Sequence, residues 1–322
     1  MKKQVIILIG SLFILVGTSS GQLVDLNGLW KFALGDQQSW SKPNYDDSNW
    51  ELIRVPTGWE NDGFHDYDGF AWYRTRFDGA KIPRGAQCYL NMGYIDDADE
   101  VYLNGQLIGF SGTMPPNFKT AYNSERKYVI PQNFINYTGE NVIAVRVFDA
   151  VLSGGIVDGH LGVYRIESGS PMLLDLRGVW DFSISRNGAK PNEDGWDKIL
   201  VPTFWEKQGY RKYDGFAWYR KEFDYTSDME GQELVLVLGK IDDFDEVYVN
   251  GRLVGRTRDD RKFPHSESYS KYRIYYLPEA ILKKNAPNLI EVQVEDIGLD
   301  GGIYEGPIGI TSKDRLYQLI KK

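Results

Sequence analysis

The residues of this sequence best suited to chemistry are two groups of carboxylates that each precede a predicted strand. Both follow the pattern IDDxDE, and they comprise Asp96, Asp97, Asp99 and Glu100 in the first copy and Asp242, Asp243, Asp245 and Glu246 in the second. Charged oxygens on a rigid edge could bind sugar hydroxyls or calcium, and paired carboxylates could cleave glycosidic bonds. Alternation along an extended segment predicts that Asp97 and Asp99 share one face and that Asp96 lies on the other.

A structural role is the alternative for these carboxylates. They could accept backbone N–H bonds and pair with arginines that fix the start of the strand. The motif YDGFAWYR occurs twice and supplies Arg74 and Arg220, which we expect to be the partners of the IDDxDE carboxylates. The candidates for this structural pairing are Arg74, Arg126, Arg220 and Arg273 with Asp96, Glu100, Asp242 and Glu246.

Aromatic residues are the second chemical resource of the chain. Trp59 and Trp205 each lie in a VPTxWE segment just ahead of a variable loop. An aromatic face beside charged groups suits a pyranose ring, because the ring stacks on it and the sugar hydroxyls form hydrogen bonds around the rim. The predicted ligand contacts are Trp59, Glu60, Tyr67, Asp68, Trp72, Asp97 and Asp99, together with Trp205, Glu206, Tyr213, Asp214, Trp218, Asp243 and Asp245. The alternative is that the two tryptophans plug the end of the fold.

The sequence contains no motif of another kind of catalytic site. The three histidines, His65, His160 and His265, have no metal-ligand spacing, and no GxSxG segment is present. The sequence also lacks a glycine-rich phosphate loop and a dinucleotide fingerprint. We therefore expect no catalytic site and no cofactor, while a structural calcium ion stays open.

The amino terminus predicts export. Residues 1–21 have the pattern of a secretory signal peptide, with Lys2 and Lys3 ahead of an apolar run from Val5 to Val16. That run is short for a membrane span and no second one follows, so we expect a secreted chain, periplasmic or extracellular, with no membrane span in its mature form. Without the peptide, 35 basic side chains stand against 45 acidic ones, a net charge near −10 that disfavours nucleic acid as a partner.

The rest of the sequence consists of two copies of one pattern. Shifting the chain against itself by 146 to 150 residues aligns DLNGLWKF with DLRGVWDF, VPTGWE with VPTFWE, and EVYLNGQLIG with EVYVNGRLVG. We expect a first domain over residues 23–168, a second over residues 173–312, a short linker between them and a polar tail over residues 313–322. Alternating strands, Asn-Gly pairs suited to two-residue hairpins and the absence of long helical periodicity predict an all-β fold of two tandem jelly-roll β-sandwiches.

The ordered series LNGLWKF, VPTGWE, WYRTRF, DEVYLNGQLIG, YVIP, NVIAVRV and GGI resembles the N-terminal sugar-binding jelly-roll domain of family 2 glycoside hydrolases such as β-galactosidases and β-glucuronidases. The second copy, with LGKIDDFDEVYVNGRLVG, is also similar to the matching domain of sialate O-acetylesterases. Both resemblances imply the galactose-binding-like fold. Family 2 hydrolases carry their catalytic glutamates on a barrel of about 250 further residues. The resemblance therefore implies an accessory, carbohydrate-recognising unit.

Three functions follow from these patterns. The first is a secreted, non-catalytic protein, or accessory module of glycan breakdown, that binds oligo- or polysaccharide and gains avidity from two sites on one chain. The second is a family 2-like glycoside hydrolase, or a part of one, that uses the IDDxDE carboxylates or works with a separate catalytic chain. The third is a structural protein–protein module of the cell envelope. We expect the first.

Overall fold

The computed structural model describes residues 21–166, 171–258 and 267–320 of the chain. Residues 1–20 of the predicted signal peptide, most of the predicted linker and His265 lie outside the described residues. We refer to residues 21–166 as the first unit and to the described residues from 171 to 320 as the second unit. Within these ranges one α-helix occurs, α1 (Lys313–Ile320), and no helix there has the length and apolar character that a bilayer crossing requires.

The first unit contains eleven strands in two antiparallel sheets. They are β1 (Gln22–Asp25), β2 (Gly28–Leu34), β3 (Glu51–Val55), β4 (Gly69–Asp78), β5 (Cys88–Asp96), β6 (Ala98–Leu103), β7 (Gln106–Ser111), β8 (Glu125–Ile130), β9 (Glu140–Asp149), β10 (Gly155–Asp158) and β11 (Gly162–Arg165). The large sheet has the order β3-β2-β4-β9-β6-β7, and the small sheet has the order β1-β11-β5-β10 with β8 paired to β5. The chain therefore passes from the small to the large sheet between β5 and β6, where the acidic segment lies.

The second unit repeats this arrangement with ten strands. They are β12 (Met172–Asp175), β13 (Gly178–Ser185), β14 (Asp197–Val201), β15 (Gly215–Phe223), β16 (Leu234–Asp242), β17 (Phe244–Val249), β18 (Arg252–Thr257), β19 (Tyr272–Tyr276), β20 (Asn288–Asp296) and β21 (Gly302–Ser312). The large sheet, β14-β13-β15-β20-β17-β18, matches that of the first unit strand for strand, and the small sheet has the order β12-β21-β16-β19. The single strand β21 takes the places of β10 and β11.

Local sequence explains the hairpins of both large sheets. Asn104 and Gly105 join β6 to β7 with φ values of 51° and 80°, and Asn250 and Gly251 join β17 to β18 with φ values of 51° and 76°. A two-residue type I′ turn needs positive φ at both central residues, and Asn-Gly supplies it at the least cost. These hairpins agree with the turns predicted from the sequence.

Each unit encloses its own apolar core between its two sheets. The central strand of each large sheet alternates as predicted, and the fully buried positions are Ile143, Val145 and Val147 in β9 and Ile290, Val292 and Val294 in β20. Burying every second residue of a strand against a facing sheet is what makes a β-sandwich. The predicted all-β fold class is confirmed.

Residues 313–320 form the helix α1, whereas the sequence predicts a polar tail there. Leu316 and Leu319 pack against Met172, Val235 and Val237 on the outer face of the small sheet. Residues three apart lie on the same side of a helix, so the two leucines form one apolar stripe. The contact of this narrow apolar stripe with the sheet stabilises the helix, although most residues of the segment are polar.

Candidate functional site

The two VPTxWE tryptophans are core residues. Trp59 and Trp205 are 0% exposed, and each indole Nε1 donates to the backbone carbonyl of a tyrosine eight residues later, Tyr67 or Tyr213, at 3.2 Å. The hydroxyls of these tyrosines donate in turn to a carbonyl three residues further on at 2.8 Å. A fully buried ring cannot stack on a pyranose, which corrects the predicted stacking role. The two indoles plug the end of each sandwich instead.

Trp72 and Trp218 are also part of the framework rather than open ligand contacts. They lie on the face of the large sheet that points away from the core, and they are 0% and 7% exposed. Trp72 stacks on Tyr102 with ring centroids 5.8 Å apart, and Trp218 stacks on Tyr248 at 6.0 Å. One face of each indole therefore packs against a tyrosine of the same sheet and is not open to a ligand.

Asp99 and Asp245 belong to buried ion pairs. Arg126 Nε lies 2.7 Å from Asp99 Oδ1, Arg273 Nε lies 2.6 Å from Asp245 Oδ1, and all four side chains are at most 1% exposed. The second oxygen of Asp99 accepts the hydroxyl of Tyr128 at 2.6 Å. Burial raises the pKa of Asp99, and the Arg126 charge opposes that shift. These two aspartates hold the sandwich together and are not available to a ligand.

Arg74 and Arg220 do not reach the IDDxDE carboxylates, which corrects their predicted pairing. Arg74 Nε lies 2.7 Å from Asp47, while Arg220 lies 2.9 Å from Asp181 and 2.6 Å from Glu193. The strand order is the reason, because β9 separates β4 from β6 and β20 separates β15 from β17. Alternation within a strand predicts which face a side chain takes but not which strand lies beside it.

The glutamates of the two IDDxDE segments take partners from nearer strands. Arg146 of β9 lies 3.2 Å from Glu100, and Arg258 lies 2.7 Å from Glu246. Each glutamate also accepts the hydroxyl of the tyrosine two residues later at 2.7 Å. Glu100 and Glu246 are therefore surface framework residues.

The remaining acids form a cluster at the end of each sandwich. The first acidic cluster is Asp96, Asp97 and Asp149, and the second acidic cluster is Asp242, Asp243 and Asp296. In each, one carboxylate oxygen from every residue lies within 4.8 Å of the others. The Asp96–Asp97 and Asp242–Asp243 peptides are cis. Because the chain changes sheets here, the period-two alternation ends, and Asp96 joins Asp97 in one cluster rather than facing away from it.

Hydrogen bonds orient part of each acidic cluster. Asp97 accepts the hydroxyl of Thr120 and, at 3.0 Å, the N–H of Ala150. In the second unit Asp243 accepts the N–H of Ile297 at 3.1 Å. The clusters are thus fixed from the loop that follows β9 or β20, so the end of the large sheet and the acidic crossing form one rigid corner.

Further predicted ligand residues surround these corners. Glu60 and Glu206 each accept a glycine N–H at 3.0 Å, and their charges act on Asp96 and on Asp296. The exposed carboxylates Asp68 and Asp214 act in the same way on Asp149 and Asp296. The structure thus brings most of the predicted acids to these corners, while Asp99 and Asp245 lie in buried ion pairs and the tryptophans are buried.

The pKa values of the clustered acids are raised. Burial, followed by the charges of Asp97 and Asp96, raises the pKa of Asp149 to about 7, and burial raises the pKa of Asp296 to about 7. Burial and the adjacent aspartate also raise the pKa of Asp96 and of Asp242. A carboxyl group of this basicity could serve as a general acid. However, Asp149 and Asp296 are 0% and 2% exposed, so a sugar ring has no access to them.

The second unit has an aromatic surface next to its acidic corner, and we call it the aromatic rim: Phe204, Tyr269, Tyr272 and Tyr304. The rings of Phe204 and Tyr304 are stacked, with centroids 4.5 Å apart and an interplanar angle of 9°. The Tyr304 hydroxyl donates to the Tyr269 carbonyl at 2.9 Å, and Tyr269 and Tyr272 are 46% and 39% exposed. Lys207 Nζ lies 5.1 Å from the Phe204 centroid.

Charged groups border the aromatic rim. Gly302, two residues before Tyr304, pairs with Asp242 across the sheet, and the charges of Asp242 and Lys240 both act on the Tyr304 hydroxyl. Lys240 forms an ion pair with Glu305 at 2.7 Å. The rim therefore combines apolar ring surface with donors and acceptors at its edge.

The predicted ligand contacts did not include this aromatic rim because they were all residues that both copies share. The signal was a difference: VPTGWE has Gly58 where VPTFWE has Phe204, and the first copy has Val157 where the second has Tyr304. A residue that occurs in both copies indicates a role in the shared fold. A solvent-accessible residue that occurs in only one copy indicates a function particular to that copy.

The chain thus consists of two β-sandwiches, each with its own core and one buried Arg–Asp ion pair, and this architecture defines an all-β accessory module. The family model described as the β-galactosidase second all-β domain matches residues 34–150 and again residues 189–300. The chain belongs to this family. The first match runs from the end of β2 to just past β9, and the second runs from before β14 to just past β20, so each includes one acidic cluster.

The chain is similar to parts of two curated relatives. One, named "Putative beta-glucuronidase", from Formosa agariphila, is 32% identical over 136 residues, which cover 38% of this chain and 12% of that protein. The β-galactosidase BoGH2A of Bacteroides ovatus is 26% identical over 153 residues, 44% of this chain and 17% of that protein. The matches therefore span less than a fifth of either relative. A solved structure of Bacteroides uniformis β-glucuronidase matches this chain with a TM-score of 0.38 at 16% identity. The match covers 88% of this chain and 28% of the β-glucuronidase chain.

Proposed function

We propose that the chain is a carbohydrate-binding accessory module of glycan breakdown and that the aromatic rim of the second unit is its glycan site. The observation that carries the proposal is the stacked pair Phe204 and Tyr304, which is partly exposed, with Tyr304 on the strand that pairs with Asp242. The names of the relatives, β-glucuronidase and β-galactosidase, support a sugar as the class of ligand.

The aromatic rim matches the two-sided chemistry of a pyranose. A pyranose presents C–H groups on a face and hydroxyls around its edge, so it suits aromatic surface with a few polar groups at the border. Tyr269 and Tyr272 supply exposed ring surface, and Lys207, Lys240 and Glu305 supply charged hydrogen-bonding groups around it.

The stack also prepares the rim for binding. Each ring of the pair restricts the other, and the Tyr304 hydroxyl is tied to a backbone carbonyl. Side chains that are ordered before a ligand arrives lose less conformational entropy when it binds. A shallow rim of this kind suits the flank of a long chain, such as a polysaccharide, better than a single enclosed sugar.

Calorimetric titration of the whole chain with fractionated oligo- and polysaccharides tests the proposal. We expect Phe204→Ala and Tyr304→Ala each to weaken binding about tenfold or more, equivalent to ~1.4 kcal/mol or more. Tyr164→Ala is the matched control, because Tyr164 stacks on Tyr89 of the first unit at 5.4 Å and 15°, away from the rim. This control should bind as the unmodified chain does.

Two results would contradict the proposal. One is a folded chain that gives no binding to any glycan, which would favour the protein–protein module. The other is glycan binding that survives both rim substitutions unchanged, which would move the site elsewhere on the molecule.

A further inference from the structure

In both units, buried oxygen atoms on the same three side chains lack hydrogen-bond partners. Among the described residues, neither carboxylate oxygen of Asp149, Oε2 of Glu60 nor the hydroxyl of Tyr73 forms a hydrogen bond of normal geometry, and only the backbone of Val151 and of Ile156 acts more weakly on Asp149 and on Tyr73. The equivalent atoms of the second unit are Oδ2 of Asp296, Oε1 of Glu206 and the hydroxyl of Tyr219. A buried polar atom without a partner costs roughly 1–3 kcal/mol. The repetition of that cost at equivalent positions indicates a polar occupant common to both corners.

The charges at these corners require that the occupant be positive. Asp96, Asp97 and Asp149 bring one carboxylate oxygen each within 4.8 Å of the others. Arg126 is the basic group that acts on Asp96, but its Nε and one Nη are bonded to Asp99 and to the carbonyl oxygen of Asp97. Acidic side chains thus outnumber basic ones around each unpartnered oxygen, and an anion or a neutral sugar would not relieve their repulsion.

The geometry of the oxygens fits a calcium ion. Calcium takes six to eight oxygen ligands at about 2.3–2.6 Å, so two ligands on opposite sides of the ion lie about 4.8 Å apart. The three carboxylate oxygens of each cluster lie within 4.8 Å of one another, which allows all of them to contact one ion. Magnesium usually keeps several waters, and the burial of Asp149 and Asp296 leaves little room for them.

From these contacts we infer that each unit binds one calcium ion at its acidic corner, through Asp96, Asp97 and Asp149 in the first unit and Asp242, Asp243 and Asp296 in the second. Thr120 and the N–H of Ala150 hold Asp97 from outside the cluster, which is the role that surrounding groups take around a metal ligand. The ion would tie the crossing between the two sheets to the end of β9 or β20. The inference rests on other observations than glycan binding does, although Asp242 borders both sites, because a sugar cannot reach the buried Asp149 and Asp296.

Metal analysis of the whole chain tests the inference. The chain is stripped with EDTA, desalted, and titrated with CaCl₂, MgCl₂ or MnCl₂ while bound metal is measured by mass spectrometry and Tm by calorimetry. We expect two calcium ions per chain and a higher Tm with calcium than after stripping, because an ion that binds only the folded state stabilises it.

Conservative substitutions separate the two sites. Asp149→Asn and Asp296→Asn keep the side-chain shape and remove one ligand charge, so each should leave one calcium ion per chain, and the double variant should leave none. The matched controls are Asp158→Asn and Asp228→Asn, which make the same change of charge at exposed positions outside both clusters and should keep both ions.

Three outcomes would overturn the inference. One is an unmodified chain that binds no calcium and whose Tm does not change with any of the three metals. In that case the carboxyl groups of the corner would share protons or bind water instead of an ion. The second is retention of both ions in the Asp149→Asn, Asp296→Asn double variant. The third is binding of magnesium or manganese with no binding of calcium.

Discussion

Gly58 of the first unit and Phe204 of the second have nearly the same backbone, with φ −67° and ψ 140° against φ −60° and ψ 140°. Val157 likewise stands where Tyr304 stands in the other copy. The two units thus follow one chain path at this corner and differ in the side chains that reach solvent. Folding accounts for the shared path, so the aromatic pair calls for another explanation, and ligand binding supplies one.

The buried parts of the two units differ much less. The ion pairs Asp99–Arg126 and Asp245–Arg273 and both acidic clusters occur at equivalent positions with closely similar distances. One exception lies on the outer face of the large sheet, where Arg74 is 0% exposed and its counterpart Arg220 is 22% exposed. The comparison therefore predicts equal effects at the shared ion pairs and unequal effects at this exception and at the rim.

The largest effect is expected at the shared ion pairs. Arg126→Leu and Arg273→Leu should each destabilise the chain by about 3–5 kcal/mol, because removal of one partner leaves a buried carboxylate uncompensated. Urea denaturation followed by tryptophan fluorescence measures the loss. Arg252→Leu, at an exposed position after a hairpin turn, is the control and should change little. A large loss in one unit only would break the similarity of the two frameworks.

A smaller and unequal effect is expected at Arg74 and Arg220. Arg74→Leu should cost about 2–3 kcal/mol, because it leaves the buried Asp47 with only the partly exposed Arg76 as its ion-pair partner and removes a donor to the Trp40 carbonyl. Arg220→Leu should cost about 1 kcal/mol or less, since its ion pairs are open to solvent. Differential scanning calorimetry of both variants measures the contrast. Equal losses would show that the exposed pair contributes as much as the buried one.

The rim difference can be tested by transplanting it. Gly58→Phe combined with Val157→Tyr should give the first unit an aromatic pair and raise the calorimetric stoichiometry from one glycan site per chain to two. The backbone at Gly58 already has the conformation of Phe204, and a Cβ there would lie 3.0 Å from Oε2 of Glu60, the movable end of a side chain. Val157→Tyr alone is the control. An unchanged stoichiometry in the double variant would mean that the aromatic pair is not sufficient for binding.

The smallest effect is expected from Tyr304→Phe. This change keeps the stacked ring and removes only the hydrogen bond to the Tyr269 carbonyl. A hydrogen bond of this kind contributes about 0.5–1.5 kcal/mol, so affinity for the glycan should fall roughly 2- to 10-fold. The same titration measures it. A loss clearly greater than that of Tyr304→Ala would assign binding to the hydroxyl rather than to the ring.

Strands, hairpins and the core were predictable because each depends on local pattern. Asn104-Gly105 specifies its turn by conformational preference, and the alternation of Ile143, Val145 and Val147 specifies the buried face of β9. The partner of Arg74 was not predictable in this way. That partner depends on which strand lies beside β4, which no local pattern contains.

The candidate site was predictable in its acids and not in its aromatic part. The IDDxDE segment predicted a cluster of carboxylates, and Asp96 and Asp97 indeed lie together, although on one side rather than two. Asp149 joins them from β9, a contact between residues more than fifty positions apart in the chain. Trp59 was a predicted ligand contact because it lies in a VPTxWE segment ahead of a variable loop, but its ring is buried in the core, as the alternative prediction had it.

The account is tested most directly by the number of glycan sites per chain. Titration of the unmodified chain with a polysaccharide fraction that it binds should give one site, and the same titration of Phe204→Ala should give no measurable site. Two equivalent sites on the unmodified chain, or one site that Phe204→Ala leaves intact, would contradict the assignment of glycan binding to the aromatic rim of the second unit.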